Sequence, residues 1–361
     1  MSSMISADKI KKETSALYAL DDLRIVSRPL LDTGKFTLCA VLRNELYFLP
    51  AFLSHYRKLG IERFIFLDDH SDDGTRELLL EQPDVMVLES GHRYGDQVDL
   101  PEPLGARIAN RRILYIWRAL LLDKFCKNQW ALQVDLDEFV HLPDTARFQD
   151  LVPRLDDEGA LSVWGVMLDM YPRDLADLAA EKDSDTLNPD ADWYFDGQRH
   201  LQLNSNTTPR TLYPGARARL FQNFGISKHY HEYGFGTEHS YLTRLRKTRF
   251  GTKVLSYNCI HKPILTKWQD GSLFLNSHET TLPTSRRVLL PMQHFRFTGS
   301  LYSRVERALR ERSYSGQSRD YVFLSMLLEK MGEGGHSFLY RHSRRFEGFK
   351  DFEATRNTKG F

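Results

Sequence analysis

The chain reads as an α/β protein built on a mostly parallel sheet with helices on both faces and a helical C-terminal extension. Three observations predict this. From residue 36 onward short apolar runs alternate with helical segments, and acidic or polar residues gather where each run ends. A long apolar-faced stretch then precedes a fourth run that closes in Asp135-Leu136-Asp137-Glu138. Strand–helix–strand order implies right-handed crossovers and parallel neighbours.

Residues 1–35 are polar and mixed, and a loosely attached segment is expected there. Phe36–Leu42 is a first strand, continuous enough in apolar residues to be buried on both faces. Pro50–Leu59 reads as a helix: Pro50 suits the first turn, Leu49, Phe52, Leu53, Tyr56 and Leu59 share a face, and Gly60 is placed to cap the end. Phe64–Leu67 is a second strand, ending in Asp68-Asp69-His70-Ser71-Asp72-Asp73-Gly74-Thr75. Helical Arg76–Glu81 and a third strand, Val85–Leu88, follow. After a loop with Pro101, Pro103 and Gly105, one amphipathic helix is expected over about 106–127, with Ile113, Ile116, Trp117, Leu120 and Leu121 on one side. Trp130–Val134 is the fourth strand and Leu161–Leu168 another. Residues 171–216 carry few regular signals, as a binding loop would. Leu220–Phe224, Lys253–Tyr257 and Met292–Phe297 read as strands, and two helices follow Leu301.

Composition excludes several classes. With 361 residues, 41% hydrophobic and 27% charged, this is an ordinary globular chain. A net charge of +1 calls for no nucleic-acid partner. No stretch approaches the ~18 apolar residues of a membrane span, and the charged N-terminus lacks the apolar run of a signal peptide. Three scattered cysteines, Cys39, Cys126 and Cys259, argue against a disulfide framework or a cysteine zinc site. A reduced, cytoplasmic protein is expected. Aromatic residues, at 12%, serve cores as readily as sugar sites.

The chemistry sits at strand ends, where open α/β sheets bind ligands. Asp135 and Asp137, read as i and i+2 of a strand, would share a face. Paired carboxylates repel unless one protonates or a cation joins them, and oxygen ligands suit Mg²⁺ or Mn²⁺. The alternative is a solvated turn that caps the next helix. Asp68 or Asp69 can accept from a base N–H or a ribose hydroxyl, while Ser71, Asp72 or Asp73 can cap the following helix.

Ala40–Leu59 (AVLRNELYFLPAFLSHYRKL), Phe66–Thr75 (FLDDHSDDGT) and Trp130–Val140 (WALQVDLDEFV) resemble the motifs of bacterial glycosyltransferases related to family two. The resemblance covers about residues 36–140. It continues more weakly into Arg217–Phe221, Lys262–Trp268, Leu275–His278 and His294–Phe297. It implies the A-type glycosyltransferase fold, Rossmann-like in its sheet, a nucleotide-sugar donor with UDP as nucleotide, and a divalent metal, Mn²⁺ or Mg²⁺. It also implies a division into an N-terminal segment (1–35), a catalytic domain (36–300, with a nucleotide-sugar half to 140 and an acceptor half beyond) and a helical extension (301–361).

Carried over by position, Asp68, with Asp69 as competitor, matches the aspartate that holds the base. Asp135 and Asp137 match the pair at ribose and metal, and Arg43 and Glu45 match the donor-side loop. Arg107, Arg111 and Arg112 compete for a basic position facing the diphosphate. His294 resembles the late histidine that completes the metal shell. His278 and Glu279 can supply a general base, and Lys262 can neutralise the leaving diphosphate. Trp193, Tyr194 and Asp196 are candidate contacts to a carbohydrate or glycolipid acceptor. Arg304, Arg307, Arg310 and Arg312, followed by Arg341, Arg344 and Arg345, form a basic cluster that suits peripheral contact with the inner face of a membrane; a locally paired surface is the alternative.

Rival readings fit less well. A phosphatase with a nucleophilic Asp-x-Asp needs Thr or Val at 139, where Phe stands, and places that motif after its first strand. A nucleotidyltransferase needs a glycine-rich loop where Arg43-Asn44-Glu45-Leu46 stands. A silent sugar-nucleotide-binding module has no need of Asp135 and Asp137 together.

Overall fold

The computed structural model describes residues 15–102, 104–182, 184–204, 208–233, 259–312, 315–334 and 336–361. They form two compact units that interleave along the chain. The first holds the described residues of Met1–Leu136, Thr145–Trp164 and Lys262–Ser285; the second holds those of Asp137–Asp144, Gly165–His261 and Arg286–Phe361.

The first unit is an α/β layer structure. Its strand order is Arg24–Ile25, Val85–Glu89, Arg63–Asp68, Thr37–Leu42, Trp130–Gln133, His261–Lys267. The three inner ladders are parallel and the two outer ones antiparallel. Numbered along the chain, the parallel strands lie in the order third, second, first, fourth. The order therefore reverses between Thr37–Leu42 and Trp130–Gln133, which is where such sheets open a ligand crevice. Both faces are covered. On one, Phe52 of helix Leu49–Lys58 packs on Phe66, with ring centroids 6.3 Å apart, and on Tyr56 of its own helix. On the other, Cys39, Val41, Ile65, Leu67, Met86 and Leu88 share a core with helix Ile113–Phe125. That alternation explains why these runs are apolar throughout. Gly60 ends the first helix at φ 90°, and a Cβ there would stand 2.6 Å from the Gln149 side chain.

Several expectations are corrected here. The long helix over 106–127 is broken. Leu104–Arg107 is one short turn, Ala109–Arg111 a second, and Ile113–Phe125 the helix proper. Asn110 and Arg111 are left-handed, at φ 53° and 48°. The cause lies across the loop: Val98 N–H donates to the Arg111 carbonyl and Ile113 N–H to that of Asp96, so residue 112 is held extended against Gln97. The helix is also not amphipathic, since every residue from Ile113 to Leu122 is buried. The segment after residue 14 is tied down: Leu17 is buried in the core, Asp22 accepts from Ser90 Oγ, and Arg24–Ile25 pairs with Val85–Glu89.

The second unit places strand Ser162–Asp169, for its residues from 165, beside Thr284–His294, which pairs antiparallel with Glu138–Val140. The strand expected at Met292–Phe297 thus begins earlier and stops at His294. Leu220–Phe224, expected as a strand, belongs to helix Ala216–Asn223. Its apolar residues Ala216, Leu220 and Phe221 recur at helical spacing, which a five-residue window hides. The two helices after Leu301 are Leu301–Glu311 and Ser315–Gly332. Residues 171–216 include helix Leu175–Ala180, capped by Asp174, and strand Tyr194–Asp196. Lys253–Tyr257 lies outside the described residues. No helix among the described residues is long and apolar enough to cross a membrane.

Candidate functional site

In the first unit, parallel pairing brings the carboxyl ends of three strands to one edge: Arg43–Glu45 after Leu42, Asp68–Asp69, and Asp135 beyond Gln133. The first two loops are knitted together. Asn44 N–H donates to Ser71 Oγ, its amide exchanges bonds with Asp72, and Glu45 N–H donates to Thr75 Oγ1. Asp73 accepts from Thr75 and from Leu46 N–H, while Gly74 begins the helix without a side-chain cap. Ser71, Asp72 and Asp73 therefore build the loops. Two non-glycine residues stand in the left-handed region here, Asn44 and His70, both at φ 56°. Such backbone costs about 1–3 kcal/mol per residue and gathers at ligand loops.

The two adjacent aspartates have different duties. Asp69 accepts Tyr94 N–H at 3.1 Å and lies 3.2 Å from Arg93 Nε, so it ties in the loop after the third parallel strand. Burial pushes its pKa up, against the pull of the Tyr94 N–H, Arg93 and Arg43. Asp68 is fully buried and accepts Ser71 N–H through Oδ1. Its Oδ2 accepts no hydrogen bond among the described residues; the nearest cation is Arg76, 3.8 Å away. Asp69 Oδ1 likewise accepts no hydrogen bond but lies against Arg93, so Asp68 Oδ2 is the more open of two buried carboxylate oxygens and a candidate ligand position.

Asp135 carries the third strand end. Arg118 donates to its Oδ1 at 2.6 Å and Lys262 Nζ stands 2.8 Å from its Oδ2. The two cations are buried, at 4% and 3% side-chain exposure, whereas Asp135 is 42% exposed. Arg112 donates to the Tyr94 carbonyl and lies over the Tyr94 ring. Burial, then Asp135, pushes the Tyr94 phenol pKa up. Two buried cations thus meet on one half-exposed carboxylate at the crevice. Arg118 was missed in the sequence, although an arginine inside ILYIWRALLL is a legible signal: a cation on so apolar a helix needs an anion nearby.

In the second unit, Asp137 is buried, 2.6 Å from Arg304 Nη2 and 3.6 Å from His294 Nε2. His294 Nδ1 meets Asp169 Oδ1 at 2.6 Å. Arg217 joins Asp169 to Asp320, and Arg296 also pairs with Asp320. Burial opposes the charge on Asp137 and Asp169. Arg304 and His294 for the one, and Arg217 and His294 for the other, outweigh it and hold both below the usual carboxylate range. Asp169, Arg217, Arg296 and Arg304 were not singled out from the sequence, although Asp169 ends a strand as Asp68 does.

The strand-periodicity argument for Asp135 and Asp137 does not hold. The strand stops at Gln133, and residues 136–137 form a turn. Each carboxylate has its own cations: Asp135 has Arg118 and Lys262, Asp137 has Arg304. As a metal site, Asp137 and His294 fit in part. An imidazole oriented through its other nitrogen by a carboxylate is the arrangement of a metal-bound histidine, but Arg304 must release Asp137 Oδ2 first. Among the described residues no group of three or more His, Cys, Asp or Glu is gathered to hold a metal.

The remaining candidates separate. Arg111 is paired with Glu102 on the surface. Arg107 and Glu279 line one cleft. His278 stands at the tip of the hairpin Phe274–Asn276 and Glu279–Thr280, its N–H on Asn276 Oδ1. Trp193 is buried, donates to the Asn188 carbonyl and packs edge-on to Phe295, as a core residue does. Tyr194 is half-buried in a strand paired with Ser343–Arg345. Asp196 is sealed inside a network of Tyr171, Tyr213 and Arg219. Arg304 is buried on Asp137, so it leaves the proposed basic surface. Arg344 and Arg345 are paired with Asp351 and Asp192.

No protein-family model matches the chain. Over 115 residues, 32% of this chain and 18% of the relative, it is 27% identical to a glycosyltransferase family 92 protein of Oryza sativa subsp. japonica. Over 122 residues, 34% of this chain and 20% of the relative, it is 28% identical to a glycosyltransferase family 92 protein of Ricinus communis. The matched part spans about a fifth of the length of these relatives. A solved structure of a UTP-bound UGPase from Acinetobacter baumannii is similar at a TM-score of 0.23 and 11% identity, covering 48% of this chain and 63% of that one. That likeness is too slight to argue from.

Proposed function

We propose that the chain is a glycosyltransferase that takes a nucleotide-sugar donor, UDP-linked, and passes the sugar to an acceptor hydroxyl in polysaccharide or glycoconjugate synthesis. The observation that carries this is the switch-point edge of the first unit. There the fully buried Asp68, with one oxygen lacking a donor, shares a sheet edge with Asp135 and its two buried cations. The relatives named for glycosyltransferase family 92 support glycosyl transfer; the relation to the family-two branch rests on the motifs alone.

In this reading Asp68 accepts from the base or ribose. Arg118 and Lys262, with Arg112, face the diphosphate. The bond from the anomeric carbon to the phosphate oxygen breaks and its electron pair leaves with the diphosphate, where buried cations stabilise it. The acceptor oxygen bonds to the anomeric carbon and gives its proton to a base, His278 or Glu279. A divalent cation, Mn²⁺ or Mg²⁺, would be held by Asp137 and His294, with Asp169 orienting the imidazole, and would supply the positive charge that phosphate chemistry calls for.

A panel of nucleotide sugars tested by thermal shift, with Mn²⁺ and with EDTA, checks the proposal. A bound donor at 100 times its dissociation constant adds about 2.7 kcal/mol of stability. Stabilisation by UDP-sugars, followed by release of UDP on adding acceptor, is expected. No shift with any nucleotide sugar would overturn it.

A further inference from the structure

One open cleft in the first unit has a volume of about 570 Å³. Its walls are the segment from Gln97 to Arg111 and the hairpin carrying Asn276 and Glu279. Two features describe what it would take. Its charges cancel: Glu102 and Glu279 stand against Arg107 and Arg111. Three amides, Gln97, Asn110 and Asn276, add paired donors and acceptors. An anion would face the two carboxylates, a cation the two guanidiniums, and an apolar ligand would strip water from all of them at a cost. A neutral molecule dense in hydroxyls, each able to donate and accept, satisfies such walls.

The cleft is built rather than incidental. Asn110 and Arg111 are consecutive left-handed residues, held there by the backbone bonds to residues 96 and 98. Gly105 is packed so closely that a Cβ would come 2.9 Å from the Leu100 carbonyl and 3.0 Å from the Arg111 guanidinium. Glu279 is oriented by Asn276 Nδ2 at 2.8 Å, and Arg111 by Glu102. The same segment continues into Arg112, which bridges to Gln97 and packs on Tyr94, whose phenol feels the charge of Asp135. One stretch of backbone therefore serves both the cleft and the cationic crevice.

We infer that this cleft binds the acceptor, and that the acceptor is a neutral, polyhydroxylated glycan rather than an acidic one. The inference rests on the glycosyltransferase reading for the word acceptor, but binding of a neutral glycan stands without it. Saturation-transfer NMR on the full chain, with cellotetraose, maltotetraose, xylotetraose and chitotriose as neutral probes and a tetragalacturonate as the acidic one, reads it directly. Two variants locate the contact: Asn110→Gly, which keeps a left-handed turn without strain, and Gln97→Ala. At least one neutral probe is expected to bind the wild type. The double variant should bind it at least about tenfold more weakly, as loss of one or two hydrogen bonds gives, with UDP binding unchanged. If no neutral probe binds, if the acidic one binds better, or if the double variant binds as the wild type does, the inference is overturned. Loss of UDP binding in the wild type, with glycan binding intact, would instead sink the donor reading and leave this one standing.

Discussion

At the residue scale the two adjacent aspartates carry the clearest contrast. Each keeps one buried oxygen without a hydrogen-bond donor, but Asp69 accepts Tyr94 N–H and has Arg93 at 3.2 Å, whereas the second oxygen of Asp68 has only Arg76 at 3.8 Å. Asp68→Ala should therefore weaken nucleotide binding by about 1–3 kcal/mol, the range for a hydrogen bond to a charged group. Asp69→Ala should instead lower unfolding stability by a similar about 1–3 kcal/mol, because it orphans a backbone N–H. Calorimetric titration of UDP and denaturant melts of both variants separate the two effects. Asp137 behaves differently again. Asp137→Ala leaves Arg304 buried without its carboxylate and should cost about 3–5 kcal/mol of stability, readable in the same melts. His294→Gln is accordingly the better variant for testing a cation, since it leaves the Asp137–Arg304 pair in place. That Asp68 and Asp135 stand at one sheet edge was legible from their place after apolar runs. Which oxygen is spoken for depends on residues 93–94, 118 and 262, and no local pattern carries that.

At the element scale the sequence signals worked where the chain obeys one period for its whole length. Thr37–Leu42, Arg63–Asp68, Val85–Glu89 and Leu49–Lys58 fall within a residue or so of expectation. The expected helix over 106–127 failed because bonds from residues 98 and 113 to the other side of a loop outbid local helical preference. Helix Ala216–Asn223 was missed because its buried arginines, Arg217 and Arg219, look polar until Asp169 and Asp196 are in place beside them. The break itself is testable. Asn tolerates the left-handed region better than other residues with a Cβ, and glycine better still. Asn110→Ala should cost about 1 kcal/mol of stability, within the usual penalty for a left-handed L-residue, while Asn110→Gly should cost nothing measurable. Equal losses in both would mean that the Asn110 side chain, not its backbone, holds the turn.

At the scale of the whole molecule, acid sensitivity follows from two enclosed histidines, half-buried His141 and buried His200, as well as from carboxylates. Burial pushes His141 down to about 4, against the pull of its bond to Gln293, and lowers His200 as well. A histidine with a depressed folded pKa takes up its proton more readily when unfolded. Its contribution is therefore fully present above about 6.5 and is lost as pH falls toward 4; for His141 the loss is up to about 3 kcal/mol at 1.36 kcal/mol per unit. The depressed carboxylates Asp137, Asp169 and Asp320 add losses only below their unfolded values near ~4. Denaturant melts between pH 7 and 4.5 should show falling stability, with a shallower slope in His141→Gln. In the proposed mode the switch-point edge of the first unit binds a nucleoside diphosphate, base toward Asp68 and phosphates toward Arg118 and Lys262. Calorimetric titration of UDP and of uridine into the wild type and Lys262→Gln tests it most directly. UDP should bind the wild type, Lys262→Gln should lose at least about tenfold for UDP, as removal of a charge-assisted contact does, and the weak binding of uridine should not change. UDP that fails to bind the wild type with or without Mn²⁺, or that binds Lys262→Gln equally well, would contradict it.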